Sequence, residues 1–340
     1  MNRVTRNPPA NLKINDQKYF DTVSQIELEN PFHERINGCL LLNNGLILSF
    51  NGIHQQSLLY NSRSSEPGFK FSLIKKLIKC IVSLRISFSS PKIIYFSIIN
   101  EWTNNYFHWL TEALPRILYL KKHFAGIIIL LPHSYKSEYQ LTSLKLLNIK
   151  YKRFHEIVYV NQLILPSRQA PYSAHYNPYY INLLAQELKL NINSKTDFGD
   201  KIYVTRINAA YRKIANEKEI IPILLSYGFK IIDFAWYSLD EQVSIASNAK
   251  ILIGIHGAGL SNMIFMQKQS IVLEFSLENQ FMDKCYYTLA NACELEYHYQ
   301  FCKSTSDNKT YSSADIVVNT NEFEYNLNSI LNIIGSINLA

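Results

Sequence analysis

The stretch Ile251-Leu252-Ile253-Gly254-Ile255-His256-Gly257-Ala258-Gly259-Leu260-Ser261-Asn262 decides how this 340-residue chain is read. An apolar run of strand length passes directly into a glycine-rich turn, and a helix start follows. Continuous apolar strands belong to parallel sheets covered on both faces. Such sheets bind ligands outside the carboxyl ends of their strands, where this turn sits. Glycines there allow close backbone approach and positive φ. The first N–H groups and positive end of the next helix favour a phosphate. His256 adds a donor to the same cradle. Taken alone, the turn fits equally a tight strand-to-helix connection with His256 as a satisfied polar residue.

Working outward, strands and helices alternate around this motif. Lys201 to Thr205 reads as a strand, Glu217 to Tyr227 as a helix closed by Gly228, and Lys230 to Asp233 as a strand. Leu239 to Ala249 is a helix, and Val272 to Phe275 the next strand. Upstream, Leu40 to Leu48 turns at Asn43-Asn44-Gly45 as a hairpin. Lys92 to Ile99 reads as a buried strand, Asn105 to Lys122 as a helix kinked by Pro115, and Ile127 to Leu131 as a strand. A helix at Glu138 to Leu147, a strand at Ile157 to Val160 and a helix from Pro178 to Leu190 complete this half. The polar stretch Asn191 to Asp200 is a linker. The pattern is α/β twice over: an arm at 1–35, a first α/β domain at 36–194, a Rossmann-like domain at 195–320 and a terminal helix at 321–340.

Composition narrows the class. Hydrophobic residues make up 47% and charged residues 18%, which excludes a disordered chain, a collagen-like repeat and a small disulfide scaffold. A net charge of +7 attracts phosphates, whether in nucleotides, nucleic acid or a membrane surface. The 23 tyrosines either pack or line a carbohydrate or base-binding cleft. Cys39, Cys80, Cys285, Cys293 and Cys302 are odd in number and form no C-x-x-C, so a reducing compartment is expected. The opening residues hold no apolar core of a secretory signal, and the apolar runs fall short of a membrane span. A cytoplasmic protein is therefore expected. Residues 70–85 alternate an apolar face with Lys70, Lys75, Lys76 and Lys79, which fits either a packed helix or peripheral contact with an anionic bilayer. Basic residues without interleaved stacking motifs argue against nucleic acid.

Several chemistries fail on motif. The spacing Gly257-x-Gly259-x-x-Asn262 departs from the dinucleotide fingerprint, and no P-loop occurs. His256-Gly257-Ala258-Gly259 is close to an esterase oxyanion loop, but the chain has no G-x-S-x-G nucleophile. Other residues converge on the same sheet edge. Arg206 ends the strand Tyr203-Val204-Thr205, and Arg212, Asn216 and Glu217 follow it. Two arginines can clamp a diphosphate by forked donors. Glu241-Gln242 precede the glycine turn, where a carboxylate can accept from ribose hydroxyls. A nucleotide diphosphate site is the reading that unites them.

These same residues resemble glycosyltransferase family 61. The matching positions are Tyr203-Val204-Thr205-Arg206, Arg212, Asn216-Glu217, Gly228-Phe229, Glu241-Gln242 and His256 to Asn262. Asn105-Tyr106-Phe107-His108-Trp109-Leu110, Glu112 and Leu114-Pro115-Arg116 resemble that family's N-terminal hallmark. The resemblance implies a GT-B-like fold, two Rossmann-like domains with parallel sheets facing across a cleft. It implies inverting transfer from a nucleotide sugar, UDP-linked in several branches, with no metal and no cofactor beyond that substrate. No D-x-D occurs in the chain, in keeping with this. Without a secretory anchor, the chain is similar to bacterial relatives acting on glycan or lipid-linked glycan acceptors in surface-polysaccharide or lipopolysaccharide assembly. For the base that an inverting transfer needs, His108 is expected, with Glu112 one helical turn on to orient it or to serve in its place. Asn105, Tyr106 and Trp109 are expected on the acceptor. A catalytically silent nucleotide- or sugar-binding component of an assembly complex is the alternative.

Overall fold

The computed structural model describes residues 2–58, 86–168, 175–277, 284–306 and 313–337. The basic stretch 70–85 lies outside them. Contacts divide the chain into Met1–Glu29 with Tyr172–Ala340, and Asn30–Pro171. The sequence pattern placed these boundaries near 35 and 194, and two interactions account for the difference. Strands β1 (Asn2–Thr5) and β2 (Gln25–Leu28) pair antiparallel, and the segment between them is pinned far along the chain. The Ala10 N–H donates to the Tyr297 carbonyl at 2.9 Å, and the Tyr287 hydroxyl to the Asn7 carbonyl at 2.9 Å. The helix Pro178–Asn191 is held in the same way, Asn182 Nδ2 donating to the Ala292 carbonyl at 2.9 Å.

The unit Asn30–Pro171 is built on one mixed sheet. Its strands are β3 (His33–Leu42), β4 (Ile47–Ser49), β5 (Gly52–Ile53), β6 (Ile86–Phe88), β7 (Tyr95–Phe96), β8 (Ile128–Pro132), β9 (Lys150–Phe154) and β10 (Ile157–Pro166). They run in the order β5-β4-β3-β10-β7-β8-β9, with β6 beside β10. The hairpin β3–β4 forms as expected. Gly45 donates its N–H to the Leu42 carbonyl at 2.9 Å and sits at φ +87°, the left-handed residue that ends such a turn. The expected strand at 92–99 pairs only over Tyr95–Phe96, although Tyr95 to Asn100 are all buried.

The other unit carries β11 (Lys201–Val204), β12 (Lys230–Ile232), β13 (Ile251–Ile255), β14 (Ile271–Leu277), β15 (Glu296–Ser304) and β16 (Ile316–Val317). Their order is β12-β11-β13-β14-β15-β16, the first five parallel and β16 antiparallel. Numbered within the parallel run, this is 2-1-3-4-5, a doubly wound order. Every residue of β13 is buried, as its unbroken apolar sequence requires. Helix Thr320–Ile337 closes one face with Phe323, Leu327 and Ile330, all fully buried; each contributes about 1.5–3 kcal/mol of apolar burial. Within the described residues Cys39, Cys285, Cys293 and Cys302 are free and buried, and burial pushes the Cys39 and Cys293 thiols up to about 12. No helix among the described residues is long and apolar enough to cross a membrane.

Charge is divided as sharply as contact. Asn30–Pro171 holds 17 Lys and Arg against 6 Asp and Glu, and the remainder of the chain 17 against 21. The whole positive excess therefore lies in one unit.

The hairpin turn yields a stability test. A Cβ on Gly45 would lie 2.5 Å from the Ile99 carbonyl oxygen, whereas a Cβ on Gly52, also at positive φ, meets nothing within 4 Å. Gly52→Ala should cost about 1–2 kcal/mol, the left-handed penalty alone. Gly45→Ala should cost clearly more, read as a lower urea midpoint at unchanged slope.

Candidate active site

Strand order reverses between β11 and β13, because the chain leaves β11 for β12 on one side and reaches β13 on the other. Ligands of doubly wound sheets occupy the crevice at such a point. The loops that follow β11 and β13 flank it. Their glycines are present for the protein's own packing. Gly257 is at φ 173°, extended backbone, and none of Gly254, Gly257 and Gly259 lies in the left-handed region. A Cβ on Gly257 would lie 2.7 Å from Arg206 Nη1, and one on Gly259 2.7 Å from Val204 Cγ1. The expectation of positive φ is thus corrected: the glycines let the 3₁₀ helix Ala258–Phe265 lie against β11 and let a guanidinium rest on the turn.

Arg206 is held from behind. Its Nε donates to the Arg212 carbonyl at 3.2 Å and its Nη2 to the Tyr211 carbonyl at 3.3 Å. Among the described residues neither Arg206 nor Arg212 has a carboxylate within ion-pair distance. Burial first, then the neighbouring Arg212 charge, lowers the Arg206 pKa from the usual arginine range. Arg212 adopts φ 57°, uncommon for a long side chain, and its buried Nε has no hydrogen-bond partner. The site therefore concentrates positive charge, with Asp233 the carboxylate that acts on Arg206 from beyond ion-pair distance.

His256 stands beside this pair, lining one small pocket with Arg212, Ile255, Ser276 and Ala314. Its Nδ1 donates to Glu274 Oε1 at 2.5 Å, and the Tyr297 hydroxyl donates to Glu274 Oε2 at 2.6 Å. Glu274 is only 1% exposed. Burial, reinforced by the Glu274 charge, pushes the Tyr297 hydroxyl well above its ordinary pKa, so it remains a donor. A carboxylate at Nδ1 fixes the tautomer and turns Nε2 away from Glu274.

The remaining expected nucleotide ligands act as supports. Glu217 is buried and accepts from Tyr203 and Thr205, each at 2.7 Å, anchoring the end of β11 just before Arg206. Asn216 is clamped to Val318 by bonds of 2.8 and 2.9 Å. Glu241 Oε2 accepts from the Ser238 N–H and hydroxyl, a capping box on helix Leu239–Asn248 that holds its carboxyl below the usual range. It is engaged with the helix end, where a ribose partner had been expected. Asn262 Nδ2 donates to Gln242 Oε1 at 3.1 Å, both residues being buried, which ties this helix to the glycine turn. Ala258 is half-buried at the turn itself.

In Asn30–Pro171, His108 Nδ1 donates to Glu112 Oε1 at 2.6 Å and Asn100 Nδ2 to Glu112 Oε2 at 2.8 Å. This repeats the His256 arrangement: a carboxylate held on its far oxygen fixes a histidine by Nδ1. The helix that carries the pair is interrupted. Tyr106–His108 is α-helical, Trp109–Ala113 a π-turn, and Leu114–His123 α-helical again. The wider turn ends just before Pro115, whose ring would otherwise crowd the carbonyl four residues back. Asn105 caps the start through Phe107 N–H, and Tyr106 packs edge-on to Tyr139. Trp109, expected on a sugar, is fully buried with its indole N–H on Ser143 at 2.9 Å. The indole beside His108 is that of Trp102, ring centroids 5.1 Å apart. Glu274, Tyr297, Asn100 and Trp102 escaped the sequence reading. An acid inside the apolar strand Ile271–Leu277 was the one available signal, since buried carboxylates are rare unless paired.

Burial pushes the Glu112 carboxyl up, but His108, Asn100 and Arg116 outweigh it and hold it below the usual glutamate range. A depressed folded pKa contributes stability above the unfolded value, about 4.3, that disappears as pH falls through the folded one. Glu112→Gln should therefore destabilise by about 1–3 kcal/mol at neutral pH. In urea titrations the gap between wild type and variant should close as pH falls below about 4.

Residues 106–273 match the family described as Glycosyltransferase 61. An EGF domain-specific O-linked N-acetylglucosamine transferase of Gallus gallus is 34% identical over 116 residues, 32% of this chain and 21% of that protein. The protein of the same description in Xenopus laevis is 30% identical over 179 residues, 47% of this chain and 33% of its own length. A β-1,2-xylosyltransferase of Oryza sativa subsp. japonica is 23% identical over 199 residues, 51% of this chain and 35% of that protein. The chain thus spans between a fifth and about a third of these relatives, which are animal and plant proteins rather than bacterial ones. Both the glycine turn with its arginines and the His108–Glu112 pair fall inside the matched segment, and residues 106–273 carry a glycosyltransferase family 61 domain.

Proposed function

We propose that this protein is an inverting glycosyltransferase of GT-B type. It moves a sugar from a nucleotide sugar, UDP-linked in this reading, to a hydroxyl of a glycan or lipid-linked glycan. The observation that carries the proposal is the pair Arg206 and Arg212, with no ion-pair partner among the described residues, beside His256 at the point where strand order reverses. Departure of a nucleoside diphosphate develops charge on its terminal phosphate oxygens. Two guanidiniums, the His256 ring held by Glu274 and the first N–H groups of Ala258–Phe265 are preorganised for that charge, so this reading needs no metal there.

The acceptor side falls to His108. With Glu112 at Nδ1, its Nε2 keeps a lone pair and takes the acceptor hydroxyl proton. The acceptor oxygen then bonds to the anomeric carbon from the face opposite the diphosphate. The carbon–oxygen bond to the diphosphate breaks, its electron pair stays with the leaving group, and configuration inverts. Trp102 offers a face for a sugar ring next to the base. The positive excess of Asn30–Pro171 favours an acceptor bearing phosphate or carboxylate, as lipid-linked and surface polysaccharides do. A cytoplasmic site of action at a membrane, with 70–85 against the lipid, completes the reading.

Turnover against a panel of nucleotide sugars tests it. One donor should yield product of inverted anomeric configuration, undiminished by a chelator. Arg206→Ala should lower kcat by roughly 100- to 1,000-fold, and His108→Ala by roughly 100- to 10,000-fold. A wild-type protein that binds nucleotide yet transfers no sugar from any donor would establish a silent binding component instead. Unchanged kcat in Arg206→Ala would remove the leaving-group site.

A further inference from the structure

Next to the arginine pair, the sheet edge carries large apolar side chains in water. Trp236 is 76% exposed, and Ile207 and Tyr211 are each 51% exposed. Single exposed hydrophobics are ordinary, but these three sit on two adjoining loops beside one charged site. Ile207 and Tyr211 belong to the loop after β11. Trp236 ends the short turn Phe234–Trp236 that follows β12. The two loops touch: Thr205 N–H donates to the Ile232 carbonyl at 2.9 Å, and Asn208 Nδ2 to Asp233 Oδ2 at 3.4 Å. Phe234 reaches back to the glycine turn, within 3.8 Å of a Cβ placed on Gly259. Trp236 therefore lies on the same carboxyl edge as Gly257, two strands across, about 9–10 Å along the sheet.

Asp233 caps the turn that carries Trp236. Its Oδ1 accepts from Ala235 N–H at 3.1 Å and fixes the turn that presents Trp236. Its Oδ2 takes a long contact from Asn208, and its charge acts on Arg206. A half-buried carboxylate at the end of the strand beside the first one is where doubly wound folds take ribose hydroxyls. Glu241, with its carboxylate committed to a helix cap, is poorly placed for that task.

From this juxtaposition we infer that Trp236 is the stacking platform for the donor's nucleobase and that Asp233 accepts from its ribose. The inference rests on the diphosphate site proposed above and assigns the nucleoside end of the same ligand. An aromatic face recognises a base by stacking, and a carboxylate recognises a cis-diol by accepting from it, so the site takes a ribonucleotide. Trp236 is the only tryptophan of its unit, the other two being Trp102 and Trp109 in Asn30–Pro171.

Titration of the full chain with UDP, 2′-deoxy-UDP and inorganic pyrophosphate separates the two ideas, with tryptophan fluorescence and calorimetry read in parallel. UDP should quench fluorescence, and pyrophosphate should bind without quenching. Trp236→Leu should abolish the quench and weaken UDP roughly ten-fold or more, leave pyrophosphate unchanged, and be rescued by Trp236→Phe. Asp233→Asn should erase the preference for UDP over its deoxy analogue. Pyrophosphate binding with UDP affinity unaltered in Trp236→Leu would overturn this inference and leave the diphosphate site standing. Failure of the wild type to bind either UDP or pyrophosphate would overturn both.

Discussion

The Arg206 guanidinium occupies the volume that any side chain at residue 257 would require. Much of the donor-side arrangement depends on that contact. Because the guanidinium rests on bare backbone, positive charge sits directly at the mouth of the glycine turn. Because Val204 takes the corresponding space at residue 259, the 3₁₀ helix that follows is drawn down onto β11. Glu217 fixes the end of β11 through Tyr203 and Thr205, so the strand delivers Arg206 at one height. Arg212, in a left-handed conformation, places its carbonyl on Arg206 and its side chain in the pocket with His256.

The chain uses one device twice, in separate units. His256 and His108 each give Nδ1 to a carboxylate whose other oxygen is held by a second donor, Tyr297 in one case and Asn100 in the other. In the proposed mechanism the shared geometry serves opposite needs. Amid two guanidiniums, a histidine backed by a carboxylate adds to a field suited to an anion. Beside Trp102, with Arg116 acting on the carboxylate, the same pairing leaves a nitrogen suited to receive a proton. Environment, rather than the pair itself, assigns the role.

Much of the unit that holds β11 to β16 is legible in the sequence. Ile251–Ile255 is a strand in both readings, and neighbouring elements agree to within a residue or two, because buried parallel strands and capped helices write their periodicity into the chain. The arrangement of the N-terminal residues was not legible. They join the C-terminal half through bonds such as Ala10 to Tyr297, and nothing local to residues 1–29 encodes a partner nearly 300 positions away. The π-turn at Trp109–Ala113 was equally hidden, since Pro115 signals strain but not how the helix relieves it.

Sequence by itself determined the alternation of elements, the glycine turn at the end of a buried strand, and the residue types gathered there. Those follow from local sterics and from the apolar period of the chain. Only the tertiary structure decided which of these residues face a ligand and which hold the others in place. Gln242, Asn262, Glu217 and Glu241 look like ligand groups in a linear reading, yet each is engaged with protein. Glu274 looks like an anomaly in a core strand, yet it orients His256. The reason is physical: a buried polar group must find its partner in space, and the partners here lie 3 to 23 residues away.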